Sequence, residues 1–210
     1  YGYCIQIYCD FSGYSDMAIG IALLLGFKIP MNFNAPLTAD SMTDFWRRWH
    51  ISLSTWIRDY VYISLGGNKK GTLRMYFNQM VAMTACGLWH GASLNFVVWG
   101  VLHGALVCVH KFLSQTVLKH DRRYHPSGIR RFLSVFITFH VLCFTWLFFR
   151  CKDFDSVWIM VKQLFTKFNP SVLPDVFMGY KYVFMLMIFA LLTHWIPDSW
   201  QNRCVRVLEK

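Results

Sequence analysis

Charged side chains are scarce in this sequence, and acidic ones are the scarcest. Asp, Glu, Lys and Arg make up 15% of the 210 residues, with 11 acidic against 21 basic side chains, whereas soluble domains carry about 25% charged residues. None of the four occurs between Met75 and His110. This distribution argues against a soluble globular protein and predicts a chain that crosses a membrane several times.

Several patterns of catalysis and metal binding are also missing. The seven cysteines form no C-x-x-C pair, and no H-E-x-x-H is present. The sequence "SGYSD" lacks the second glycine of a G-x-S-x-G elbow, and "GGNKKGT" lacks the end of a phosphate-binding loop. No carboxylate lies between Asp59 and Asp121. We therefore expect no metal, no bound cofactor, no disulfide framework and no catalysis by paired carboxylates near the chain's centre.

The basic residues lie in the connectors between apolar blocks. Six Lys or Arg and one Asp fall between Lys111 and Arg131, which is typical of a cytoplasmic loop next to a membrane span. The net charge of +10 is explained in this way without nucleic acid. The expected partner is the lipid bilayer.

Hydrophobic periodicity predicts an all-α, multi-span fold with interfacial and re-entrant helices. Residues 41–65 should form one amphipathic helix that starts with a capping box, Ser41 with Asp44. Residues 75–110 should form two short helices broken near "GLWHGAS", and 132–149 and 182–197 are candidate spans. In the single helix, residues recurring at steps of three and four would share one face, namely Arg47, His50, Ser54 and Arg58.

His90 stands out because it lies in the uncharged stretch, with Gly87 and Gly91 around it. A buried imidazole stays neutral and can act as a general base, and glycines would let a ligand approach the backbone. The alternative is a histidine that only hydrogen-bonds two helices. For His50 the alternative is a residue facing headgroups, and for His103 it is an interhelical hydrogen bond.

Three segments together resemble the membrane-bound O-acyltransferase family. They are "FSGYSDMAIGIALLLGFKIPMNFNAP", "DFWRRWHISLSTWIRDYVYISLGGN" and "LWHGASLNFVVWGVLHG", in that order. The branch that is most similar is the bacterial alginate O-acetyltransferase type. The resemblance runs from about Phe11 to Gly104, and beyond His110 it is limited to hydrophobicity. Family members are about twice this length, so we expect the chain to be the C-terminal part of one domain.

The resemblance implies an O-acyltransferase in which His90 is the catalytic histidine and His50 is the second active-site position. The expected reaction moves an acetyl group from a thioester, such as acetyl-coenzyme A, to a hydroxyl of an exported polysaccharide such as alginate, or to a periplasmic acyl-accepting protein. The expected location is the bacterial inner membrane. Further candidates for donor or substrate binding are Arg47, Arg58, Trp89, Asn95 and His103.

Within this expected domain of residues 1–210, we place the histidine-bearing core in 1–110 and further spans with a basic tail in 111–210. The alternatives are D-alanyl transfer to teichoic acid, a transporter whose histidines line a polar pathway, and a non-catalytic membrane scaffold. The nature of the donor distinguishes D-alanyl transfer. A transporter would show solute flux, and a scaffold would tolerate alanine at His50 and His90.

Overall fold

The computed structural model describes residues 1–119 and 125–196, and within them all regular structure is helical. The all-α prediction is confirmed. The predicted basic tail, with Arg203, Arg206 and Lys210, lies outside the described residues. The helices are α1 (Gly2–Leu24), α2 (Met42–Arg48), α3 (Ile51–Ile57), α4 (Thr72–His90), α5 (Leu94–Lys111), α6 (Gly128–Thr145), α7 (Leu147–Arg150), α8 (Phe154–Thr166), α9 (Leu173–Gly179) and α10 (Lys181–Thr193).

The chain divides into two compact units. The first contains Tyr1 and Tyr3–Phe168, and the second begins at Asn169. The described part of the second unit holds a 3₁₀ turn at Pro170–Val172, followed by α9 and α10. All the candidate site residues lie in the first unit. The predicted division at residue 110 stays a prediction.

Within residues 1–119 and 125–196, two helical segments are long and apolar enough to cross a membrane. They are Leu94–Val117, in which a π-helix continues α5, and Gly128–Arg150, which contains α6 and α7. The second segment contains the predicted span 132–149. The predicted span 182–197 corresponds to α10, whose 13 residues are too few for a straight crossing. A third span results if Pro170–Gly179 and Lys181–Thr193, which meet at 86°, cross as one bent unit.

The prediction of one continuous helix over residues 41–65 is wrong. The helix starts as expected, because the Ser41 side chain accepts a hydrogen bond from the backbone N–H of Asp44 at 3.1 Å. However, α2 ends at Arg48, and His50 has a left-handed backbone with φ +43° before α3 begins. A non-glycine residue in this region is uncommon and is strained. The break turns the two halves of the segment to different surroundings.

The break between α4 and α5 is at the predicted place, but the role we expected for its glycines is wrong. A Cβ on Gly87 would lie 2.2 Å from the carbonyl oxygen of Phe96, and one on Gly100 would lie 2.5 Å from that of Met83. A Cβ on Gly91 would meet the Phe96 ring at 2.9 Å. These glycines let the two antiparallel helices pack backbone to backbone. The space beside Gly87 and Gly100 is filled by the facing helix, and that beside Gly91 by the Phe96 ring.

An aromatic core joins α2 to α5 and to the end of α6. The Phe45 ring stacks on Trp49 with centroids 5.6 Å apart, and Trp49 contacts Trp146 at 5.2 Å. Phe45, Trp49, Trp99 and Trp146 are all at most 7% exposed. Burying four aromatic side chains stabilises the fold by several kcal/mol in total, at roughly 1.5–3 kcal/mol for each large side chain. This core fixes α2, which leads into His50, against α5, which follows His90.

Candidate active site

His90 is the last residue of α4, and Gly91 ends the helix with φ +156°. Four aromatic rings surround the imidazole, with centroids 4.8 Å (Trp89), 4.9 Å (Phe149), 5.5 Å (Trp99) and 6.1 Å (Phe96) away. The side chain is half-buried, and among residues 1–119 and 125–196 neither ring nitrogen has a hydrogen-bond partner. No described group therefore occupies either nitrogen, although His90 lines neither of the two cavities described below.

The electrostatic surroundings keep His90 neutral. The residue lies outside the two candidate spans. Burial, helped by the neighbouring His50, lowers the pKa of His90 to about 4. The low-dielectric surroundings disfavour the imidazolium, and no carboxylate in the described part of the chain offsets this effect. Burial also lowers the pKa of His50. At neutral pH each imidazole therefore has a free lone pair.

The structure brings three of the predicted site residues together. His50 and His90 both make edge contacts with the Trp89 indole, at centroid distances of 6.0 and 4.8 Å. His50 also packs on Phe11 at 4.7 Å, and its Nδ1 lies 3.4 Å from the hydroxyl of Ser52. The left-handed backbone conformation of His50 sets this orientation. It directs the imidazole away from Arg47.

His50 and Trp89 line a small cavity of about 360 Å³. Its other walls are Ser52, Leu53 and Trp56. The Trp89 and Trp56 rings are 59% and 51% exposed, so this cavity is open to the surroundings. A group that enters it can contact His50.

A larger cavity of about 570 Å³ lies on the other side of α3. Arg47, Ser54 and Arg58 line it, but His50 does not. The prediction that Arg47, His50, Ser54 and Arg58 share one face is therefore wrong for His50. The break in the helix at His50 rotates this residue away from the two arginines.

One wall of this cavity is formed by residues that recur at steps of four on one face of α4. Ala82 and Cys86 line the cavity, and His90 is the next member of the row. Residues four apart lie on the same face of a helix, about 6 Å along the axis. The apolar end of the cavity therefore lies about one helical turn from His90. Sequence reasoning missed this, although the i, i+4 spacing of Cys86 and His90 could have indicated it.

The mouth of the large cavity is basic. Arg58 is exposed and paired with Asp59, at 2.7 Å between Nε and Oδ1. Arg47 is exposed and, among the described residues, makes no ion pair or hydrogen bond. Lys111, which the site prediction omitted, also lines the cavity and donates to Gln79 Oε1 at 3.0 Å. Together these side chains present three cations to a group that enters.

Two carboxylates at the same mouth are already bound by cationic or ionisable groups. Asp44 accepts from Arg48 Nε at 2.8 Å, and Asp40 Oδ2 lies 2.7 Å from His125 Nδ1. Ligand atoms of Asp40, Asp44 and His125 lie within 4.8 Å of one another. We assign no metal to this trio, because both carboxylates are engaged by neighbouring side chains.

Asn95 and His103 are held by the protein itself. Asn95 is 2% exposed, and its Nδ2 donates to the Cys151 carbonyl at 3.1 Å. His103 is completely buried, and its Nε2 lies 2.9 Å from Thr145 Oγ1. Since the Thr145 hydroxyl donates to Leu142 O at 3.0 Å, it accepts from His103 Nε2–H. His103 thus makes the interhelical hydrogen bond that was its alternative interpretation, and it lines neither cavity.

Comparison with known proteins places this arrangement in a family. Residues 1–149 match the family described as MBOAT, membrane-bound O-acyltransferase family. The chain belongs to this family. The match extends well past Gly104, where we expected the resemblance to end, because it includes the second candidate span. Together with its apolar helices, this family membership indicates an integral membrane protein.

Three curated relatives illustrate the range of activities. A probable alginate O-acetylase of Azotobacter vinelandii is 46% identical over 78% of this chain and 31% of its own length. A peptidoglycan O-acetyltransferase of Helicobacter pylori is 43% identical over 77% of this chain and 30% of its own. A teichoic acid D-alanyltransferase of Bacillus subtilis is 34% identical over 73% and 40%. The chain thus spans about a third of the length of the curated relatives it matches.

Proposed function

We propose that this chain carries the catalytic histidine of a membrane O-acetyltransferase, which moves an acetyl group from a thioester to a hydroxyl of an exported polysaccharide. One observation carries the proposal. The row Ala82, Cys86 and His90 on α4 leads from a cavity with a basic mouth to an uncharged imidazole without a hydrogen-bond partner. The family membership and the acetyltransferase relatives supply the reaction class.

The charge distribution suggests how this path is oriented. α5 ends at Lys111, at the same end of the hairpin as Lys69, Lys70 and Arg74, which precede or begin α4. Basic residues prefer the cytoplasmic side. The 18 residues of α5 rise about 27 Å, close to the thickness of the hydrocarbon core. The mouth of the large cavity would then face the cytoplasm and His90 the outer boundary, in keeping with a bacterial inner membrane.

The donor would enter through the basic mouth. Arg47 and Lys111, with Arg58 at the rim, can bind the phosphates of a donor such as acetyl-coenzyme A. The apolar wall at Ala82 and Cys86 suits the uncharged arm that carries the thioester. No resident cofactor is needed, because the activated acyl group arrives on the donor.

His90 would act as the general base. Its unprotonated nitrogen takes the proton of the acceptor hydroxyl, and the oxygen attacks the thioester carbonyl. When the tetrahedral intermediate collapses, the C–S bond breaks and the imidazolium returns the proton to the departing sulfur. The products are an ester and a free thiol. General-base help of this kind contributes about 10²–10⁴-fold to the rate.

His50 would serve the acceptor side. It lines the small cavity together with Trp89, whose ring also contacts His90. Since the Ser52 hydroxyl donates to Asn32 Oδ1 at 2.7 Å, it accepts from His50 Nδ1–H, and Nε2 carries the lone pair. A hydroxyl in that cavity could donate to Nε2 of His50, which would hold and orient the acceptor. Asn95 is less suited to this task, because its amide already donates to Cys151 O. The acceptor would be a sugar hydroxyl or a hydroxyl of a periplasmic partner protein.

The decisive variant is His90→Gln, introduced into the gene at its own locus. The amide keeps the polarity but cannot accept a proton at neutral pH, so O-acetylation of the exported polysaccharide should fall at least 100-fold. The matched control is His140→Gln on α6, whose Nδ1–H donates to the Phe136 carbonyl at 2.8 Å and which lines neither cavity. Acetylation at the level of this control would remove His90 from the mechanism.

The donor separates the remaining candidates. Membranes given labelled acetyl-coenzyme A should transfer label to polysaccharide, whereas a D-alanyl transferase would need D-alanine on a carrier protein. A transporter would move solute without consuming thioester, and a scaffold would tolerate His90→Gln. The relative with D-alanyl specificity is less similar to this chain than the two acetyltransferases.

A further inference from the structure

Among the described residues, Trp46 is the one tryptophan in the wall of the large cavity. Its indole is half-buried and makes an edge contact with Trp99, at 5.7 Å between centroids. Trp99 in turn contacts His90 at 5.5 Å and is 2% exposed. The two indoles therefore stand between the cavity and the base.

The rest of this partition is aliphatic and tightly packed. Leu53, Ile57, Ala82 and Cys86 form one buried cluster with Trp99, and Trp46 packs against it. A donor that entered thioester first would bring its acyl group to this point, because the acyl group is the leading end. The space left for the acyl chain is then set by the side chains of the partition.

The Trp46 ring is held by packing alone. Its Nε1–H is buried, and among the described residues it has no hydrogen-bond partner. A buried indole N–H usually finds an acceptor. Movement of this ring therefore breaks no hydrogen bond. Its neighbours on the core side are the rings of Phe45 and His103, at 5.6 and 5.5 Å.

We propose that Trp46 closes the inner end of the large cavity and limits the acyl group that the enzyme accepts to acetyl. In this proposal, the Trp46 indole moves far enough for the two-carbon acetyl group to reach His90. A longer acyl chain would collide with the indoles of Trp46 and Trp99. The proposal rests on the proposed transferase function and adds a residue that determines donor specificity.

The test compares two donors in the same membranes, with the full-length protein in its host. Acetyl-coenzyme A and propionyl-coenzyme A are supplied separately, and the ratio of the two kcat/KM values is measured. One methylene in an apolar pocket changes this quantity by about 10–200-fold. The original enzyme should prefer acetyl at least tenfold, and Trp46→Leu should reduce that preference at least tenfold. Because the ratio cancels the amount of folded protein, a lower yield of the variant does not affect it.

Two further variants complete the test. Trp158→Leu on α8 makes the same change at an indole that is 64% exposed and lines neither cavity, so the ratio should stay unchanged. Trp46→Phe, which retains a ring, should shift the ratio in the same direction as Trp46→Leu but less. Equal use of both donors by the original enzyme, or an unchanged ratio in Trp46→Leu, would overturn the inference. Absence of acyl transfer from either donor by the original enzyme would instead overturn the proposed function.

Discussion

The packing of α4 on α5 can be tested by one added methyl group, Gly87→Ala. The new Cβ would lie 2.2 Å from the carbonyl oxygen of Phe96, about 1.2 Å short of the 3.4 Å at which ordinary contact begins. Gly100 Cα, 3.2 Å away on the facing helix, blocks a sideways escape. The obstacles are backbone atoms, so the helices must separate by about 1 Å.

The magnitude follows from two opposing effects. Overpacking costs about 1–3 kcal/mol, and the higher helix propensity of alanine returns about 0.5–1 kcal/mol. Because the clash is with backbone atoms, the overpacking cost should lie near the upper end, about 2–3 kcal/mol, and the net loss of stability should be about 1–2.5 kcal/mol. The effect on activity should be larger, because His90 is one turn from Gly87 on the same helix. A displacement of about 1 Å at a catalytic group can cost about 100-fold in rate.

The assay measures thermal stability and acetyl transfer for the detergent-solubilised protein. The matched control is Gly20→Ala in the interior of α1, where an added Cβ has no neighbour within 4 Å. We expect Gly87→Ala to unfold at a temperature lower by several degrees and to lose most of its activity, while the control keeps both. If the two variants behave alike in both measurements, the close approach of the helices has been misjudged.

Two other predictions concern the chemistry of the site. Since the pKa of His90 is lowered to about 4, the imidazole stays unprotonated as the pH falls from 7.5 to about 5. The value of kcat/KM should therefore stay constant over this range. A decline centred near pH 6.5, the pKa of an ordinary histidine, would contradict this. Arg47→Gln should raise the KM for acetyl-coenzyme A about tenfold with little change in kcat, as expected for the loss of one charge-assisted hydrogen bond. An unchanged KM, equal to that of the exposed control Lys162→Gln on α8, would argue against the phosphate site.

The break at His50 shows why the candidate site could be predicted only in part. The spacing of Trp46, Trp49 and Leu53 suits one continuous helix, and nothing local forbids it. The chain is instead bent by the packing of Trp49 into the aromatic core with Phe45 and Trp146, and His50 takes up the left-handed backbone that this bend requires. Tertiary contacts overrode local propensity, and this separated His50 from Arg47.

The glycines near His90 show a similar limit. Sequence alone indicates that Gly87 and Gly91 relax the backbone, but two explanations fit equally well, a ligand or another helix. The distances to Phe96 O and Gly100 Cα decide for the helix. In the same way, complete burial and the bond to Thr145 favour a structural role for His103.

The sequence by itself determined the class of this protein. The lack of charge from Met75 to His110 requires a membrane or a large core, the basic connectors orient the spans, and the three motifs identify the family, because composition and local spacing are properties of the chain alone. Only the tertiary structure decided which side chains share a space: that Trp89 contacts both His50 and His90, that Ala82 and Cys86 line a cavity on the α4 row that leads to His90, and that Trp46 lies in the wall of this cavity against Trp99. Such contacts depend on how distant helices pack, and no local pattern encodes that distance.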